Sequence, residues 1–302
     1  MPTHKLLAGL LLFLSLLAGA CQGKDNTEPT RVALPATLIG SWQVAEVLVD
    51  QGKESDWNQT RDDPYNIHRF LGRVITISPQ RITFEGYYIK LCEQPAIIVH
   101  RTTLANVIAT SMSSRHYYAD TPPATPKDFR LPLAVDAPIE LLSLQCGEEA
   151  SRNTGGYIRG LGNTKEDTGI RGPWFTFLKP GQLMLRWEDE TFLILKRLTG
   201  NETPVASFDC NKAATNVEKT ICGSVSLAAF DQSVTQTYKQ SQAYYQTKDD
   251  TKEAIAELKK SQKLWIKQRN TCGSDAACLE KSMSERLSSM EDDIGTYAYE
   301  HR

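Results

Sequence analysis

Cysteine is the residue type whose spacing in this chain organises chemistry. Seven occur. Cys21 stands alone near the start, Cys92 and Cys146 fall in the first half, and Cys210, Cys222, Cys272 and Cys278 fall in the last third. No pair has zinc-ligand spacing or forms a redox Cys-x-x-Cys. The chemistry left to the six later cysteines is cross-linking, since an even number in an exported chain reads as a disulfide framework. Pairing within halves gives Cys92–Cys146. The last four allow three pairings, of which Cys210–Cys222 and Cys272–Cys278 each close a short loop at a helix junction and are expected. A helical hairpin would also bring Cys222 near Cys272, so that crossed alternative stays open. A bridge closing such a loop contributes about 2–4 kcal/mol.

Other chemistry is thinly supplied. His68, His100 and His116 lie in the N-terminal half with no nucleophile motif or metal spacing around them, and His301 sits at the very end. A histidine-based triad or metal site is not expected, so the chain reads as a non-enzyme without cofactor. A net charge of −2 offers no basic field for nucleic acid.

The first residues read as an address. Lys5 precedes a nearly continuous apolar run, Leu6 to Leu17, followed by Ala18, Gly19 and Ala20. A charged start, an apolar middle and small residues make residues 1–20 a secretory signal peptide. The run is too short for a permanent membrane helix, which needs about 20 residues. Cys21, directly after the small residues, resembles the lipobox cysteine of bacterial lipoproteins, although Ala18 stands where Leu is commoner. That resemblance implies a diacylglycerol thioether and an N-acyl chain, such as palmitate, on Cys21. Each buried methylene then adds about 0.8 kcal/mol of membrane affinity. Ordinary secretion with Cys21 as a passenger is the alternative. By the lipoprotein sorting rule, Gln22 in place of Asp implies the outer membrane, facing the periplasm, in a two-membrane cell.

After a polar tether, residues 21–34, short β-rich runs fill residues 35–199. Gly40-Ser41-Trp42 opens the first, and Arg73 to Ser78 with Arg81 to Glu85 reads as a hairpin turning at Pro79-Gln80. Trp174 to Leu178, Gln182 to Trp187 and Thr191 to Leu198 are separated by Pro180-Gly181 and Glu188-Asp189-Glu190. Such runs predict an antiparallel sheet, closed or half-closed into a barrel. Ser111 to Asp136, polar and proline-punctuated, reads as a long excursion. Gly40-x-Trp42 resembles the start of lipocalin-like barrels, in which a basic residue of the last strand covers the Trp. Lys196 or Arg197 is the candidate, while a plain core aromatic is the simpler reading of Trp42. A small apolar ligand in the barrel is one expectation; a barrel filled by its own side chains is the other.

Residues 204–302 read as a disulfide-stapled α-helical bundle, making the fold multidomain. Thr215-Asn-Val-Glu218 is a capping box that starts a short helix. Leu227, Phe230, Val234, Tyr238 and Tyr245 form one helical stripe. Ile255, Leu258, Gln262, Trp265, Arg269 and Cys272 form a second, and Leu279, Met283, Leu287, Met290 and Ile294 a third. Gln262 and Arg269 interrupt an apolar stripe and need partners. If the second and third helices form a hairpin turning near Asp249, Asp231 falls opposite Arg269. An Asp231–Arg269 pair setting helix register is therefore expected, with Glu218 as the competing acid.

In order, Phe208-Asp209-Cys210, Val217-Glu218-Lys219-x-Ile221-Cys222, Leu227, Asp231, Tyr238, Gln262-x-x-Trp265-x-x-x-Arg269-x-x-Cys272 and Cys278 resemble the LprI lysozyme-inhibitor family. Phe230 stands where that family usually has Leu. The resemblance covers about a third of the mature chain and does not reach the barrel. It implies inhibition of lysozyme by occlusion of its active-site cleft, with the basic animal type as the expected partner. The acidic run Glu291-Asp292-Asp293 would suit steering, and the Gly273-Ser274-Asp275 loop between the last two cysteines is the candidate plug. The rival reading is a binding or scaffolding lipoprotein whose barrel holds a ligand or an envelope partner.

Overall fold

The computed structural model describes residues 30–49, 70–85, 92–111, 124–146, 170, 173–187, 191–248 and 251–300. The signal residues, Cys21, most of the tether, His68, His116 and the Glu188–Glu190 turn lie outside them. Residues 31–302 group as one compact unit.

Ten strands form a single antiparallel sheet: β1 (Val32–Ala33), β2 (Gly40–Val49), β3 (Val74–Ile77), β4 (Arg81–Phe84), β5 (Cys92–Glu93), β6 (Ala96–Thr103), β7 (Pro138–Gln145), β8 (Trp174–Lys179), β9 (Gln182–Arg186) and β10 (Thr191–Arg197). β2 to β5 and β6 to β10 run as two meanders, joined by β10 on β2, which pairs Thr191 with Val49 through to Arg197 with Trp42. The sheet therefore curls into a half-barrel whose free ends are β5 and the two-residue β1 laid along β6. Only Gln94 and Pro95 separate β5 from β6, so chain connectivity holds the two ends together. Cys92 on β5 bonds to Cys146 just beyond β7, which ties the same opening shut.

Alternation along the strands feeds two cores on opposite faces. Inside the curl lie Trp42, Val44, Ile75, Ile77, Phe175, Leu183, Leu185, Leu193 and Leu195. On the outer face lie Leu141, Trp174, Met184, Phe192 and Ile194, covered by helix α1 (Leu104–Ser111) through Leu104, Val107 and Ile108, and by Phe129. The run Phe192-Leu-Ile-Leu195 is apolar at every position because that strand is buried on both sides.

Trp42 is fully buried and donates its indole N–H to the Leu38 carbonyl at 2.9 Å. Of the two candidate cations, Arg197 covers it, with the guanidinium carbon 5.1 Å from the ring centroid, while Lys196 points to solvent. Arg197 also donates to the carbonyls of Thr37 and Ile39, at 2.8 and 2.5 Å. The described interior keeps an apolar cavity of about 40 Å³ beside Ile75, Phe84, Cys92, Phe175 and Trp187. That is room for on the order of three water-sized groups.

The helical part holds α2 (Asn216–Cys222), α3 (Val225–Gln246), α4 (Lys252–Asn270) and α5 (Ala276–Glu300) around Ile221, Phe230, Val234, Leu258, Leu279, Met283, Leu287 and Met290. Helix α3 also packs on the sheet. Arg73, at the head of β3, is 1% exposed; its guanidinium carbon lies 3.2 Å from the Phe230 ring centroid and its Nη2 donates to Ser233 Oγ at 2.7 Å. Ser226 Oγ donates to Glu85 Oε2 at 2.5 Å. Gly72, at φ 78°, lets the two surfaces meet: a Cβ there would overlap the Cβ of Ala229. Gly72→Ala therefore combines backbone strain with overpacking and is expected to cost about 2–4 kcal/mol in urea unfolding. Adding Ala229→Gly should leave the double variant more stable than the sum of the single losses by about 1 kcal/mol. Strict additivity would mean that the two residues do not meet.

Candidate functional site

The end of the bundle where the cysteines cluster is built from short, heavily capped pieces. Asp209 caps a 3-10 turn, Cys210–Lys212, by accepting from Asn211 N at 3.0 Å. Thr215 and Glu218 form a reciprocal capping box on α2: Glu218 N donates to Thr215 Oγ1 at 3.2 Å, and Thr215 N to Glu218 Oε2 at 2.9 Å. Backbone N–H groups of Thr215 and Ala214 hold the Glu218 carboxyl below its ordinary range. Cys210 and Cys222 are bonded across this turn, and Cys272 and Cys278 across the α4–α5 junction. The crossed pairing of Cys222 with Cys272 does not occur.

Asp231 on α3 is 5% exposed and is the acid that Arg269 meets, Nη1 to Oδ1 at 3.4 Å. Its other oxygen accepts from Ser207 N at 2.8 Å and Ser207 Oγ at 2.5 Å, so it fastens the incoming chain as well as helix α4. Glu218 reaches Arg269 only through its field. Burial lowers the Arg269 pKa, and the charges of Asp231 and Glu218 oppose that shift. The guanidinium carbon also sits 5.1 Å from the Trp265 ring centroid, and Trp265 Nε1 donates to Ser282 O and Oγ, both at 3.1 Å.

Gln262 has a partner that the sequence reading missed. Arg286 on α5 donates from Nε to Gln262 Oε1 at 2.9 Å and from Nη2 to Ser261 Oγ at 3.1 Å. The signal was available: Arg286 follows Met283 by three residues, on the flank of the buried α5 stripe, and Gln262 was an acceptor in search of a donor. Gln262, Trp265, Arg269 and Asp231 thus all bond inside the bundle, where they align α3, α4 and α5.

The Gly273-Ser274-Asp275 loop is what this frame presents outward. Gly273 takes φ 58°, which a glycine adopts without strain. Asp275 accepts through Oδ1 from Ala277 N and Cys278 N, both at 3.0 Å, and its own N donates to Cys272 O at 3.0 Å. Asp275 is therefore the cap of α5 and remains exposed, and Ser274 is the exposed side chain beside it that makes no such cap. The acidic run divides: Glu291 is 7% exposed and turned inward, so only Asp292 and Asp293 face water. Helix periodicity is the reason, since Glu291 adjoins the buried Met290 on the inner face. No group of three or more His, Cys, Asp or Glu placed to hold a metal occurs among the described residues. What the arrangement offers is a rigid shape. Arg269→Ala strands Asp231 in a buried site and should lower stability by about 3–5 kcal/mol, read as a fall in Tm. Asp231→Asn should cost less, because Ser207 retains an acceptor; an unchanged Tm for Arg269→Ala would remove the pair from the account.

No curated protein and no solved structure matches the chain. Residues 210–299, however, match the family model described as Lysozyme inhibitor LprI, so the stapled helices that carry this frame are similar to an LprI domain, preceded here by the curled antiparallel sheet.

Proposed function

We propose that the protein inhibits lysozyme by occluding its active-site cleft, with the helical module as the inhibitory part. The match of residues 210–299 to the inhibitor family carries this reading. The Cys272–Cys278 loop supports it, because a protrusion ordered before binding loses little conformational entropy on entering a cleft. Asp292 and Asp293 suit the approach of a basic animal-type lysozyme, acting mainly on the association rate. On this reading the partner is bound rather than processed. The lipobox-like Cys21 supports an anchored location, facing the space where an exogenous muramidase would arrive.

The test is cell-wall clearing by lysozyme in the presence of the mature chain. Dose-dependent protection by the oxidised protein, lost on reduction, is expected. Ser274→Trp at the loop tip should weaken inhibition about tenfold or more without changing Tm. Inhibition unaltered by Ser274→Trp would move the contact away from the loop, and no inhibition by the oxidised mature chain would reject the reading. For the anchor, Cys21→Ala should shift the expressed protein from the membrane to the soluble fraction after a high-salt wash, which removes purely electrostatic binding; a variant that stays on the membrane through that wash would dismiss lipidation there.

A further inference from the structure

The outer face of α4 carries a feature that lysozyme inhibition does not use. Its inner stripe is spent on the bundle through Leu258, Gln262, Trp265 and Arg269. On the opposite side Lys252, Lys260, Lys263 and Lys267 are all exposed. At 3.6 residues per turn they fall within about 80° of one another, along a ridge of about 22 Å. Two large apolar side chains flank that ridge: Leu264, 52% exposed, and Ile266, 38% exposed. They bracket Trp265, which is held inward by Ser282, so helix geometry turns both of them out. Glu257 pairs with Lys260 at 3.3 Å, but the two side chains are 66% and 67% exposed and the pair is well screened.

We infer that this ridge seats the protein on an anionic phospholipid surface, with the lysines on headgroup phosphates. A small anion needs donors converging in a concavity, whereas this face is convex. Single-stranded nucleic acid is gripped with stacking aromatics and arginines, and the ridge carries neither. Lysines are compact, hydrated point charges on long aliphatic stems, suited to the diffuse field of a charged bilayer and to snorkelling. A basic lysozyme is repelled here, so the ridge is separate from the inhibitory contact. The bilayer is also within reach, since a lipidated Cys21 joined through the tether to Leu34 spans up to about 45 Å. The inference draws on the anchoring reading for proximity and is independent of the inhibitor reading.

The test uses residues 22–302, without lipid, in co-sedimentation with vesicles of phosphatidylglycerol mixed into phosphatidylcholine, at low salt. Binding to these vesicles is expected, falling steeply with salt and absent on phosphatidylcholine alone. The exposed triple variant K260Q/K263Q/K267Q should bind on the order of 100-fold more weakly, about fivefold for each lysine near the surface. Lys239→Gln on α3 should change nothing. No binding to the anionic vesicles, equal binding to phosphatidylcholine, or an unaffected triple variant would each overturn the proposal. Displacement by polyglutamate as efficient as that by free vesicles would also overturn it, naming an acidic polypeptide as the partner. Because the chain tested carries no lipid, each of these outcomes is separate from a failure of anchoring at Cys21.

Discussion

Arg73 is the charge on which the joining of sheet and helices depends. A guanidinium removed from water costs several kcal/mol unless its surroundings replace the lost solvation. Here Phe230 offers its ring face, Ser233 its hydroxyl, and Glu85 and Glu280 their fields. All but Glu85 belong to the helices, so Arg73 can be buried only when α3 and α5 are docked. Glu85 is subject to the same constraint. Burial raises its pKa, while Ser226 and the Val74 N–H favour its charged form. Gly72 makes the approach sterically feasible. Helix α3 is consequently held twice, by the sheet along Ser226–Ser233 and by Arg269 and Ser207 at Asp231.

Other polar residues of the bundle are interior ones as well. Asp231, Gln262, Trp265 and Arg269 each satisfy a buried neighbour, and together they set the relative register of α3, α4 and α5. The two bridges then close the end of the bundle from which the Gly273–Asp275 loop projects. The polar interior is what holds that end of the bundle rigid.

Several parts of this were legible in the residues. The Thr215–Glu218 capping box, the hairpin at Pro79-Gln80 and the three apolar stripes follow from local chemistry, because each depends on neighbours within a few residues or on a fixed helical period. The Asp231–Arg269 pair followed from a stripe interrupted by one charge and from hairpin geometry. Helix α1 and strands β5 to β7 went unread, as they flank a polar excursion and show little alternation. Arg286 was overlooked because a charged residue beside a stripe ordinarily faces water. The choice of Arg197 over Lys196 needed the register of β10 on β2, which local sequence does not encode.

By itself, the sequence determined the antiparallel class of the sheet, the even set of six cysteines and the helical stripes of the last third, since these rest on periodicity, residue chemistry and spacing. The tertiary structure decided the curl of the sheet through β10 on β2, the local pairing of the last four cysteines, the inward turn of Glu291 and the docking of α3 over Arg73. Each of those joins residues far apart in the chain. Which partner a buried charge finds is settled only when the surrounding elements have packed and excluded water.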